Sequence, residues 1–297
     1  MTRLLIYLFV LNTSIIFSAF AQTQSKKFST EGEFTNNCEG PAVDNEGNVY
    51  AVNFARDGTV AIMNKKGKSG FFLTLPKGST GNGIRFGDKN TFYIADFTGH
   101  NILKVDLITK DISVFANEPK MNQPNDLAIT ATGHIFCSDP NWKDNTGQIW
   151  HVTPDGKINL AAENMGTTNG IDVSPDEKTL YVNESVQRKV WAYNLSPDGA
   201  ISNKRLLIEF PDFGMDGMRC DADGNLYIAR HGKGTIAKVS PAGKLLQEIT
   251  LAGKKPSNVA FGGKDGRTVY VTLQDNGNIE SFRVDTPGRE FLMQNKK

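Results

Sequence analysis

Asn169-Gly-Ile-Asp-Val-Ser174, then Leu180-Tyr-Val-Asn-Glu184, then Lys189-Val-Trp-Ala-Tyr193, are three short apolar runs parted by turn residues. Runs of this length, rich in Val, Ile, Tyr and Trp, read as strands, and the Gly, Pro and Asp between them as turns. The same unit recurs along the chain. Its opening position carries Glu39, Asn82, Asn125, Asn169, Asp216 and Ser257, separated by 43, 43, 44, 47 and 41 positions. The second run holds an aromatic each time, at Tyr50, Tyr93, Phe136, Tyr181, Tyr227 and Tyr270. Asn45-Glu-Gly-Asn48 and Asp223-Gly-Asn225 stand between first and second runs and supply the positive φ and side-chain turn bonds of hairpins. Third runs such as Asn101-Ile-Leu-Lys-Val105 and Gln148-Ile-Trp-His-Val152 alternate.

A period in the forties with three or four strands per repeat is the signature of propeller blades. The fold expected is all-β, a six-bladed β-propeller of four-stranded blades, rather than a sandwich, which has no reason to keep six repeats in phase. The first strand of each propeller blade lines the central channel, so six distant opening residues should converge at one end of the axis. Two segments compete to supply the outermost strand of the last blade: Phe28 to Thr35, and the tail from Arg289 to Gln294.

Met1-Thr-Arg3, an apolar stretch from Leu4 to Phe20 and Ser18-Ala19-Phe20-Ala21 before Gln22 describe a signal peptide over 1–21. An exported protein, periplasmic or secreted, is expected, with one domain over 22–297. A membrane anchor is the alternative, but the stretch is short and interrupted by Asn12, Thr13 and Ser14. With 33 Lys and Arg against 32 Asp and Glu, a net charge of +1 and no long charge run, nothing favours nucleic acid or an anionic membrane. The protein is read as a monomer. Of three cysteines, Cys137 and Cys220 sit in strand-like runs as small hydrophobes, and Cys38 adjoins Glu39. No essential disulfide is expected.

Glu39, Asn125, Asn169 and Asp216 offer carboxylate and amide oxygens, with no sulfur or imidazole. Such a donor set suits a hard divalent cation, Ca2+ before Mg2+ or Mn2+, with Zn2+ by substitution. Any single Asn-Gly or Asp-Gly is an ordinary turn; four at one repeat phase are the argument for a site.

Here the chain resembles the family of senescence marker protein, gluconolactonase and luciferin-regenerating enzyme. The resemblance runs from Glu39 to Val284. Its most specific stretches are Gly147-Gln-Ile-Trp-His-Val-Thr-Pro-Asp-Gly156 and Thr168 through Val182, with Ile135-Phe-Cys-Ser-Asp-Pro140 and Pro256 to Gly263 also similar. It implies a six-bladed propeller with one catalytic divalent metal on Glu39, Asn125, Asn169 and Asp216, an arrangement also seen in the related diisopropyl fluorophosphatase. One departure is Gln123, which stands where sugar-lactonase members carry an Arg that contacts substrate.

The implied chemistry is opening of a lactone, with the metal polarising the carbonyl and water attacking it. Asp216 is the first candidate for the base and His231 the second. Asn82, Gln123, Asp139 and Arg230 are the candidate substrate contacts. Asp96 and Asp139 are also read as acceptors that orient Asn82 and Asn125. Phe97, Trp142 and Met215 are candidate pocket walls, and the loops Asn141 to Thr146 and Phe210 to Gly214 candidate specificity elements. A phosphotriesterase or other esterase on the same site and a non-catalytic binding propeller are the alternatives.

Overall fold

The structure, a computed structural model, describes residues 24–295; the segment read as a signal peptide lies outside the described residues. Six four-stranded antiparallel sheets follow one another around a ring, as the repeat predicted. Their innermost strands are Phe34–Val43, Gly81–Asp88, Leu127–Ile129, Thr168–Val173, Met218–Cys220 and Pro256–Gly262, one for each of blades 1 to 6.

Hydrophobic residues cluster between neighbouring blades. One cluster joins Tyr50, Val52 and Val60 of blade 1 to Ile84, Phe86 and Phe92 of blade 2, and five others fill the remaining interfaces, blade 6 against blade 1 included. The recurring second-strand aromatic serves these interfaces. The Tyr50 ring meets Phe92 edge-on at 5.5 Å, and Tyr227 meets Phe261 at 5.1 Å. Such pairs each contribute about 0.5–1.5 kcal/mol beyond the area they bury.

The ring closes through the N-terminal segment. Lys26–Lys27 pairs antiparallel with Asn278–Arg283, and the Phe28 and Ser29 amides both donate to Ile279 O. Of the two candidates for this strand, the N-terminal side thus supplies it, centred two residues before Phe28, while Phe34 already belongs to blade 1. The tail forms a short helix instead, Arg289–Gln294, against the inner strands of blades 2, 5 and 6.

Inner strands of blades 1, 2, 4 and 6 break register at their openings, between Glu39 and Ala42, Gly81 and Ile84, Thr168 and Ile171, and Pro256 and Val259. A bulge bends a strand and re-aims its side chains, here toward the axis. The glycine after the opening residue permits close approach of the next blade. A Cβ on Gly40, at φ +59°, would run into Asn82 O, and one on Gly217 into the Asn258 amide. Neighbouring openings are joined by main-chain bonds, Gly83 N to Asn125 O at 2.8 Å and Gly217 N to Ser257 O at 2.6 Å.

Candidate active site

A cavity of about 570 Å³ lies over these openings. Glu39, Asn82, Asn125, Asn169 and Asp216 all line it, so five of the six phased residues converge. Ser257 does not: it is fully buried, and its hydroxyl donates to Cys38 O at 2.7 Å. His231, Phe97, Trp142 and Met215 line the cavity as well, and Gln123, Asp139 and Arg230 do not.

Asp139 and Arg230 share another task. In blades 1 to 5 a residue at or near the end of the second strand ties down the segment that leads into the same blade's opening residue. Asn53 donates to Asn37 O at 2.7 Å; Asp96 accepts from Thr80 N at 3.2 Å and Ser79 Oγ at 2.8 Å. Asp139, fully buried, accepts from the amides of Asn122 and Gln123, from Gln148 Nε2 at 2.7 Å and from Trp150 Nε1 at 2.9 Å. Glu184 accepts from Gly166 N at 2.9 Å. Arg230 grips the loop before Asp216, bonding Asp212 O and Asp212 Oδ1 while its guanidinium lies 3.8 Å over the Phe210 ring. Asp96 and Asp139 therefore hold Asn82 and Asn125 through backbone, not through the ligand amides. Gln123 is half-buried, and its buried Oε1 has no hydrogen-bond partner.

The carboxylates at the openings sit in an unfavourable field. Burial, with Asp126 adding repulsion, pushes Glu39 up to about 8, although Gly40 N and Asn258 Nδ2 (3.1 Å) donate to it. Asp216 is raised well above the carboxylate range by burial and by Glu39, partly offset by the Asn169 amide. Its main-chain oxygen is fixed by Asn183 Nδ2 at 2.6 Å. His231 is lowered by burial; its Nε2 meets Gln274 Oε1 at 3.2 Å, and because that oxygen only accepts, Nδ1 keeps the free lone pair.

Below the cavity the channel is filled by charge. Arg85 binds both Asp126 oxygens at 3.0 Å, and Arg219 reaches Asp126 at 3.3 Å and Asn258 Oδ1 at 3.0 Å. Further down, Glu290 of the tail helix stands 3.7 Å from Arg219 Nε and accepts from Phe86 N, and Arg289 faces Asp172 at 4.0 Å. Asp126, Asp172 and Glu290 thus answer Arg85, Arg219 and Arg289, and the Glu39 and Asp216 carboxyls are left with no cation of their own.

A divalent ion fits this arrangement. Asn169 Oδ1 is buried with no hydrogen-bond partner, its Nδ2 having gone to Ser185 Oγ at 3.1 Å. Among the described residues no cluster of three or more His, Cys, Asp or Glu has metal-holding geometry. Of the converging residues, Glu39, Asn125, Asn169 and Asp216 offer two carboxylates and two amides, all hard oxygen donors suited to a cation such as Ca2+. All three cysteines are free and buried.

The charged column was not singled out from sequence. Its signal was present: Arg85, Asp172 and Arg219 recur three places after the opening residue, where blades 1, 3 and 6 carry Ala42, Ala128 and Ala260.

Residues 73–275 match the family described as SMP-30/Gluconolactonase/LRE-like region. The gluconolactonase of Zymomonas mobilis is 30% identical over 220 residues, 66% of this chain and 61% of that one. The chain spans 49 to 65% of the length of four curated relatives it matches. Among solved structures, a calcium-binding protein, regucalcin, from Agrobacterium tumefaciens superimposes with TM-score 0.78 at 21% identity, over 90% of this chain and 96% of that one. A gluconolactonase from Xanthomonas campestris does so with TM-score 0.76 at 20% identity, over 91% and 93%. At these identities the superpositions speak for the fold.

Proposed function

The chain belongs to the SMP-30/gluconolactonase/LRE-like family, and we propose that it is a divalent-metal-dependent hydrolase that opens a lactone ring. The observation that carries this reading is the pair of carboxyl groups without a cation of their own, Glu39 buried and Asp216 half-buried, beside two amide oxygens on the wall of a solvent-connected cavity. An ion serving only to brace the ring would need no such opening. The names of relatives, gluconolactonase among them, support the same reaction class.

Glu39, Asn125, Asn169 and Asp216 would hold the metal, with Ca2+ the ion the donor set suits best. When bound, it supplies Lewis acidity for the carbonyl and for the oxyanion that replaces it. The protein supplies the rest. Asp216, partly open to the cavity and anchored through its backbone, takes the proton of the attacking water. Neutral His231, with Nδ1 free, is the second acceptor within the same cavity. Asp139 and Arg230 act behind the site, fixing the loops that deliver Asn125 and Asp216.

The test is lactone opening by purified protein, followed by proton release, with chelator and with added Ca2+. Loss in chelator, return with Ca2+ and a dead but folded Asp216→Asn variant are expected; full turnover by Asp216→Asn sinks the proposal. Export is a separate proposal that rests on 1–21. Sequencing the N-terminus of protein from the periplasm or medium checks it, with Gln22 as the expected first residue.

A further inference from the structure

The large apolar side chains of the cavity wall all lie on one arc. From the end of blade 5 round to the start of blade 2 the wall presents amides, a hydroxyl and an imidazole, from His231, Gln274, Asn37, Asn53, Thr80 and Asn82. From the end of blade 2 to the start of blade 5, set among polar residues that include three of the proposed metal ligands and Ser185, the wall carries Phe97, Trp142, Val186, Phe213 and Met215. Three of these are large hydrophobic groups left open to water at the mouth: Trp142 at 40%, Val186 at 50% and Phe213 at 50% exposure. They come from three separate loops and blade ends, so no local sequence run accounts for their meeting. Apolar groups exposed singly need no explanation, but several that line one arc of the same ligand cavity do.

We propose that the substrate is a lactone bearing an apolar substituent, an alkyl chain or aryl group, rather than a polyhydroxylated sugar lactone. The ring's polar atoms face the amide arc, and the substituent lies along Trp142, Val186 and Phe213. Exposed Arg188, two residues from Val186, lines the same arc, and its aliphatic stem can cover such a substituent. The inference rests on the lactone-hydrolase reading for the ring and on the cavity wall for the substituent.

The two are separated by measuring binding apart from turnover. Isothermal titration with γ-lactams, which resist hydrolysis, carrying 5-alkyl groups from methyl to octyl reads the wall alone. The dissociation constant should fall by about two- to fourfold per added methylene, the upper figure being full burial of each CH2. Val186→Ser with Phe213→Ser, both exposed positions, should flatten that series while leaving the melting temperature near that of the parent. A flat series with the parent protein overturns the inference, even if lactones are opened. A steep series with no turnover of the matching lactones upholds the inference about the wall and sinks the hydrolase.

Discussion

Raising the pH of the metal-free protein from 6.5 to 8 should destabilise it through Glu39, and Glu39→Gln should remove that loss. In the unfolded chain this carboxyl releases its proton near 4.5, whereas in the fold burial and Asp126 hold the proton to about 8. A folded value above the unfolded one means that the fold binds the proton more tightly. Its contribution is complete below 4.5 and is lost as pH climbs toward 8. Between pH 6.5 and 8 the loss is about 1–2 kcal/mol, since each unit of unmatched titration is worth about 1.4 kcal/mol. Asp216, shifted the same way by burial and by Glu39, adds to it. His231 and His151, both lowered, act with the opposite sign in the lower part of this window, so the parent's own pH profile is a sum.

Subtracting the variant removes the histidines. Urea unfolding in EGTA at pH 6.5, 7.25 and 8 for parent and Glu39→Gln should show the variant gaining on the parent by about 1–2 kcal/mol across the window. Gln keeps an acceptor for Gly40 N and Asn258 Nδ2, so the hydrogen bonds survive. Ca2+ at a hundredfold excess over its dissociation constant should restore about 2.7 kcal/mol to the parent, and more weakly to the variant. A parent-minus-variant difference that stays level from pH 6.5 to 8 would show Glu39 ionised in the apo fold. The charge argument for a divalent ion would fall with it.

Asp126→Ala leaves Arg85 and Arg219 buried without their shared carboxylate, and should cost about 3–5 kcal/mol in urea unfolding. A loss under 1 kcal/mol would mean that water or Asn258 takes over. Phe28→Ala removes the ring that meets Tyr270 at 4.7 Å on the closing strand; it should lower stability by about 2–4 kcal/mol and raise protease cleavage in 24–33 first. Arg230→Met, which keeps a stem over Phe210 but frees Asp212, should raise KM at unchanged Ca2+ affinity by isothermal titration; a fall in Ca2+ affinity instead would place its effect on Asp216 itself.

The propeller and the converging oxygen set were legible because both are periodic. A strand repeat in the forties names the fold, and a single phase within it names the end of the channel. Ser257 shared that phase yet turned from the cavity, because a hydroxyl so short finds Cys38 O and Thr272 Oγ1 before it reaches the axis. Asp139 and Arg230 looked like substrate contacts since they end second strands at the cavity side. In the fold that position bonds backwards, to the segment ahead of the opening residue, and only long-range contacts reveal it. The closing strand was undecidable in sequence: Lys26–Lys27 is two residues long and exposed, so no apolar pattern marks it.

The column beneath the site bears on why the tail is a helix and not a strand. With the last blade closed by 26–29, Arg289 and Glu290 are free to enter the far end of the channel, where Arg219 and Asp172 would otherwise face an open end. Glu290 then touches Arg219, Arg219 touches Asn258, and Asn258 donates to Glu39. The orientation of one proposed metal ligand is therefore tied to the first turn of the tail helix by three polar contacts, none of them through the cavity. Truncation after Thr286 should weaken Ca2+ binding as well as stability. If binding is unchanged while the melting temperature drops, the helix is a plug and Asn258 holds Glu39 unaided.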